Sequence, residues 1–142
     1  MNLTHIVRNV FVPRQKQLER YDDAAIALQH DVLMRLVAQG ANTEYDRKVQ
    51  MNRVATYDDF AKLVPVNSYE ELKADIDRMR HGESNVLWPG RVRFFAKSSG
   101  TTNDKSKFIP VSHMGLHHIH YGGGFDTVAL YLRNHPTSKL FD

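Results

Sequence analysis

Phe94-Phe95-Ala96-Lys97-Ser98-Ser99-Gly100-Thr101-Thr102-Asn103-Asp104-Lys105-Ser106-Lys107-Phe108-Ile109-Pro110 is the stretch that decides how this chain folds and what it can hold. Arg91 to Ala96 has the β-branched and aromatic make-up of a strand. Lys97 to Ser106 is a polar loop, and Lys107 to Val111 reads as a second short strand, with Pro110 suited to an edge or a strand end. Hydroxyl residues flank Gly100 on both sides, and lysines follow at positions 105 and 107. Chemically this is a cradle for a polyanion. Gly100 lets the backbone turn so that successive N–H groups point one way. The hydroxyls of Ser98, Ser99, Thr101 and Thr102 can donate to phosphate oxygens. Lysine ammonium groups add charge without strict geometry. A Walker-type loop does not fit: no second glycine precedes Lys105-Ser106, and a strand rather than a helix follows. On composition alone, an ordinary Ser/Thr-rich hairpin loop is the plain alternative.

Upstream, residues 1–90 read as a helical segment. Pro13 suits the first turn of a helix, where its missing N–H costs nothing. Leu18, Tyr21, Ala25, Leu28, Val32 and Leu36 then recur at steps of three and four, one apolar stripe on a long helix. Such a stripe serves either a coiled-coil seam or packing on its own domain; fewer than three heptads favour packing. Gly40 and Asn42 are stop residues. Thr43 can cap a helix over 44–50 and Thr56 another over 57–63, ended by Pro65. Ser68-Tyr69-Glu70-Glu71 is a capping box, and Leu72, Ile76 and Met79 share a face of the helix it opens, which ends near Gly82. Trp88-Pro89-Gly90 reads as a turn, with Trp88 as packing.

Downstream, residues 91–142 read as strand, phosphate loop, strand and helix. Ser112 can cap a final helix from about His113 to Arg133, with Leu116, Ile119, Val128 and Leu132 on its apolar face. Gly122-Gly123-Gly124 lies inside it at a cost of roughly 2–3 kcal/mol relative to alanine, which predicts a close approach by another group. His113, His117, His118 and His120 cluster there, but without an adjacent glutamate or a clear further ligand they read as surface or substrate-side residues rather than a zinc site.

A formal charge of +3, with acidic residues interleaved and no long Lys/Arg block, gives nucleic-acid binding little support. The absence of cysteine excludes a disulfide scaffold, a thiolate zinc site and a cysteine nucleophile. The N-terminus lacks the layout of a signal peptide, and no run approaches the ~18 apolar residues of a membrane span. The expectation is a soluble, cytoplasmic protein with no nucleic-acid and no membrane partner.

Ser-Ser-Gly-Thr-Thr at 98–102, the spacing to Lys107 and the trailing Phe108-Ile109-Pro110 resemble the phosphate loop of the auxin-responsive (Gretchen Hagen) family of acyl-acid amido synthetases. Asn42-Thr43-Glu44-Tyr45, Val64-Pro65-Val66, Ser68-Tyr69-Glu70 and Arg80-His81-Gly82-Glu83 resemble, in order, the family's upstream run. Asn103-Asp104 departs from the glycine that many members carry, and a carboxylate beside polyphosphate is unfavourable unless it turns away or meets magnesium. The resemblance implies an α/β fold: the N-terminal fragment of the large domain of an adenylate-forming enzyme, mostly helical, with two or more short strands around the phosphate loop.

The resemblance also implies ATP and Mg2+ as cofactors, and a small-molecule carboxylic acid and an amine such as an amino acid as partners. The acid would be activated as acyl-AMP, with pyrophosphate expelled, and then conjugated to the amine. Ser98, Ser99, Gly100, Thr101, Thr102 and Lys107 would bind the β- and γ-phosphates; no metal ligand and no complete catalytic set is assigned. Chain length then predicts that residues 1–142 are an incomplete portion of one adenylating domain, inactive alone, partly helical and weakly cooperative. The rival readings are a non-catalytic nucleotide- or anion-binding module and a helical interaction protein.

Overall fold

The computed structural model describes residues 3–99 and 106–142. They form α1 (Leu3–Gln39), α2 (Glu44–Val49), a 3-10 turn (Met51–Arg53), α3 (Tyr57–Leu63) and α4 (Tyr69–Arg80), then β1 (Phe94–Lys97) and β2 (Phe108–Val111), then α5 (His113–Gly115), a π-helix (Leu116–Tyr121) and α6 (Gly122–Asn134). Among the described residues the fold is mostly helical with one two-stranded antiparallel sheet. No helix among them is long and apolar enough to cross a membrane. Two compact units emerge, Met1–Leu28 with Met114–Asp142, and Gln29–His113.

In the first unit, the early part of α1 begins ten residues before Pro13, which lies inside the helix rather than in its first turn. Tertiary contacts outweigh the lost N–H. Thr4, 2% exposed, bonds through its N–H to Asp142 Oδ1 at 3.0 Å and through its hydroxyl oxygen to the Phe141 N–H at 3.0 Å. Arg8 donates to the carbonyls of Leu132 and His135 at the C-terminal end of α6, where carbonyls lack helical partners. Gln15 donates to the Ala129 carbonyl at 3.0 Å, and the Phe11 and Phe125 rings lie 6.0 Å apart. Ala129 and Leu132 are fully buried. Arg14 grips Asp126 with both branches of its guanidinium, one bond measuring 2.6 Å. That pair raises the Arg14 pKa and, with the hydrogen bond as the larger cause, lowers that of Asp126.

Two sequence expectations are not met in these helices among the described residues. Ala24 has non-helical angles (φ −130°, ψ 21°), so the stripe from Leu18 to Leu36 is broken, and Tyr21, Val32 and Leu36 stay exposed. A continuous coiled-coil seam needs an unbroken helix, which α1 does not supply. The expected final helix is found from His113 to Asn134, with a π segment inside it. Of its expected apolar face, Leu132 is buried and Ile119 is 72% exposed. Among the described residues nothing lies within 4 Å of a Cβ built on Gly123 or Gly124, so the close approach expected at the triple glycine is not found there.

In the second unit the local signals hold. Thr43 caps α2 by accepting the Asp46 N–H at 2.9 Å, while its own hydroxyl donates to the Gly40 carbonyl at 3.1 Å. The next two amides of that helix, Glu44 and Tyr45, donate to the carbonyls of Asn85 and Val86. The chain after α4 thereby satisfies first-turn donors of α2. Arg78 on α4 bonds Glu83, Glu44 and Asp75, which ties α2 to the same loop. Its partners, Glu83 first and Glu44 next, raise the Arg78 pKa, and Arg78 lowers those of Glu83 and Glu44. Met79, Val86 and Val92 form the buried core, with Leu87, Trp88 and Phe95 packed on it. Trp88 therefore packs, and with Leu33, Val37, Met51, Phe60 and Leu87 it also lines an apolar cavity of about 150 Å³.

Candidate functional site

The hairpin that carries the loop is built from the core outward. Val92, 5% exposed, enters the core ahead of the sheet, and Arg91 packs its guanidinium against Gly82, whose φ of +96° suits glycine. Strand pairing starts only at Phe94, opposite Val111, and runs through Phe95–Pro110 and Ala96–Ile109 to Lys97–Phe108. The first strand is thus shorter than the sequence indicates at its start and one residue longer at its end. The partner strand ends at Val111 and a helix begins at His113, which leaves Arg91 to Arg93 nothing to pair with. Pro110 sits in a two-stranded sheet, where each strand is an edge, so its missing donor is tolerated.

Beyond Lys97 and Phe108 the hairpin gains one further rung. The Ser98 N–H donates to the Lys107 carbonyl at 2.9 Å, and the Lys107 N–H donates to Ser98 Oγ at 3.0 Å. The serine hydroxyl thus stands where a regular ladder would use a main-chain carbonyl. Ser98 and Lys107, expected as the first and last contacts of the phosphate loop, are brought together as its two gateposts. Both are half-buried, and Ser99 is exposed just beyond. Because the Ser98 amide is consumed, Ser98 can offer an anion only its hydroxyl, whose oxygen accepts from Lys107 and whose proton has no acceptor among the described residues. Gly100, Thr101 and Thr102 lie outside the described residues, as do Asn103, Asp104 and Lys105.

The second gatepost leans on α4. The Lys107 ammonium lies 5.5 Å from the Tyr69 ring centroid. The Phe108 N–H donates to the Tyr69 hydroxyl at 3.0 Å, and the Arg80 guanidinium sits 3.7 Å above the Phe108 ring. Tyr69 owes its position to the capping box: Ser68 Oγ accepts the Glu71 N–H, and the Glu71 carboxylate takes the Ser68 N–H at 2.6 Å. The Ser68 N–H first, and next the Ser68 hydroxyl, which donates to the same carboxylate at 2.8 Å, lower the Glu71 pKa. The sequence places Tyr69 and Arg80 within family-like runs but gives neither a role at the loop. The capping box marks Tyr69 as the first helical residue, but nothing local indicates a partner 39 residues away.

The histidines lie elsewhere: His113 opens α5, and His117, His118 and His120 fall in the π-helix, with His117 set edge-on to Tyr121 at 5.5 Å. Among the described residues no three His, Asp or Glu side chains form a group that could hold a metal ion.

The sequence pattern of the GH3 family N-terminal domain matches residues 14–141. The chain belongs to the GH3 family. It is 34% identical over 85 residues to an indole-3-acetic acid-amido synthetase of Arabidopsis thaliana, covering 59% of this chain and 14% of that relative. It is 31% identical over 97 residues to the 4-substituted benzoates-glutamate ligase of the same plant, covering 68% and 17%. It is 28% identical over 101 residues to the jasmonoyl–L-amino acid synthetase of Nicotiana attenuata, covering 68% and 17%. The chain thus spans about a seventh to a sixth of the length of these GH3 relatives. By name, the first is an amido synthetase of indole-3-acetic acid, and the other two join benzoates to glutamate and a jasmonoyl group to an amino acid.

Proposed function

We propose that this GH3 segment supplies the polyphosphate-holding part of an ATP-dependent acyl-acid amido synthetase. The observation that carries the reading is the hairpin rung pairing Ser98 with Lys107 at the neck of a Ser-Ser-Gly-Thr-Thr loop, in a chain of this family. In the reaction a substrate carboxylate attacks the α-phosphorus of ATP, the bond to the β-phosphate oxygen breaks, and pyrophosphate leaves with the electron pair. The amine of an amino acid then displaces AMP from the acyl group. An in-line displacement of this kind needs positioning and charge neutralisation more than covalent help.

The residues assigned to that task are Ser98, Ser99, Thr101 and Thr102 as hydrogen-bond donors to the β- and γ-phosphates. Gly100 permits the close backbone approach, and Lys107 offsets charge on the leaving pyrophosphate. The donor set fits a polyanion: the Ser98 hydroxyl has no acceptor among the described residues, and the Lys107 ammonium stands at the same neck. Mg2+ would travel with the phosphates, and no residue of this chain is assigned to it. Acids of the kind named for the relatives, indole-3-acetate, jasmonate and benzoates, are the substrate class.

Residues 1–142 alone are proposed to bind Mg·ATP weakly without forming acyl-adenylate. Isothermal titration of the chain with Mg·ATP tests the site, with Lys107→Ala expected to weaken binding at least tenfold, the scale of a lost charge-assisted contact. Equal affinity in the variant would refute the loop assignment. Pyrophosphate exchange by this chain alone, with indole-3-acetate, jasmonate or benzoate, would refute its dependence on further residues.

A further inference from the structure

The contact between α4 and the loop's second gatepost has a geometry that ordinary packing does not require. In an antiparallel pair, residues alternate between facing the partner strand with their N–H and C=O groups and turning them away. Lys107 faces Ser98 through both main-chain groups, so Phe108 turns its N–H outward from β1. That outward donor is met by the Tyr69 hydroxyl at 3.0 Å. The same ring presents its face to the Lys107 ammonium at 5.5 Å, within the reach of a cation–π attraction. One side chain thus holds the main chain immediately after the loop and the charged group at its mouth. Arg80, one helix length further along α4 and paired with Asp77 at 2.9 Å, covers the Phe108 ring from above.

We infer that Tyr69 is a positioning residue for Lys107: its hydroxyl pins the start of β2 and its ring keeps the ammonium at the neck of the loop, so that little conformational freedom remains to be lost when polyphosphate binds. The inference rests on the polyphosphate reading of the loop and adds a residue to it. Tyr69 does not touch the phosphates; it acts through Lys107 and Phe108. Tyrosine does both jobs at once, whereas phenylalanine keeps only the ring and leucine keeps neither.

The test uses the 142-residue chain, labelled for NMR, with inorganic tripolyphosphate as the probe. Tyr69→Phe is expected to speed exchange of the Phe108 amide about fivefold, the scale of one lost hydrogen bond, while the upfield ring-current shift of the Lys107 side-chain methylenes persists. Tyr69→Leu is expected to abolish that shift and to weaken tripolyphosphate binding about two- to fivefold. Val54→Ala, which trims a buried residue outside α4 and outside the hairpin, controls for stability. The inference is overturned if wild type binds tripolyphosphate and Tyr69→Leu binds it equally well. It is also overturned if Val54→Ala weakens binding as much as Tyr69→Leu does. Failure of the underlying reading looks different: tripolyphosphate would leave the wild-type Lys107 signals unmoved while the ring-current shift stayed in place.

Discussion

Replacing Thr43 with valine removes one hydroxyl that does two jobs in a buried place. Thr43 is 1% exposed; its Oγ accepts the Asp46 N–H at 2.9 Å and its proton goes to the Gly40 carbonyl at 3.1 Å. Loss of a cap of this type costs about 1 kcal/mol. Leaving a buried carbonyl without its donor adds about 1 kcal/mol, so the expected total is about 2 kcal/mol. Valine has nearly the same volume, so no cavity contributes. Thr56 has the same capping role at the start of α3, accepting the Asp59 N–H at 3.2 Å, but it is exposed and water can replace its hydroxyl. Thr56→Val should cost about 0.5 kcal/mol, at the low end of the range for caps. Urea unfolding followed by Trp88 fluorescence measures both, because Trp88 and Thr43 line the same apolar cavity. With a slope of about 1.5 kcal/mol/M, the Thr43→Val midpoint falls by about 1.3 M and that of Thr56→Val by about 0.3 M. Midpoints that fall equally would refute the claim that burial sets the value of the cap.

Met79→Ala, at a core position 1% exposed among Val86 and Val92, should cost about 3 kcal/mol in the same assay. Arg14→Gln breaks a two-pronged pair whose side chains are 36% and 23% exposed; a double-mutant cycle with Asp126→Asn should give a coupling of about 0.5–1 kcal/mol that shrinks in 1 M salt. Asp59, Glu71, Glu44 and Glu83 all have lowered pKa values in the folded chain, from hydrogen bonds to Thr56, Ser68 and, for the last two, Arg78. Such groups add stability that is fully present above the ordinary carboxylate range and is lost as pH falls through their folded values. Midpoints measured between about pH 6 and pH 3 should therefore decline on the acid side. In Ser68→Ala with Glu71→Gln, that acid-side decline should flatten.

Much of the helical segment was legible because its signals are local. Thr43, Thr56 and the pair Ser68–Glu71 bond to main-chain groups three residues away, so cap and helix start are written in the same short stretch. Gly82 and Asn42 take the positive φ expected of stop residues for the same reason. The family was legible in the loop and the runs upstream of it, and the family match extends over residues 14–141.

Where the sequence misled, the deciding partner lies far along the chain. Pro13 reads as a helix start, yet Thr4 and Arg8 find partners at Asp142, Phe141, Leu132 and His135, and α1 begins at Leu3. Arg91 to Arg93 have strand-like side chains but no opposite residues once β2 ends at Val111.

Residue order alone therefore determined the helix caps and the stop residues, because each depends on bonds spanning a few residues. Tertiary structure alone decided the start of α1, the length of β1, and the meeting of Tyr69 with Lys107 and Phe108. Those features depend on donors and acceptors brought together across dozens of residues, and local propensity carries no record of which distant group will be there.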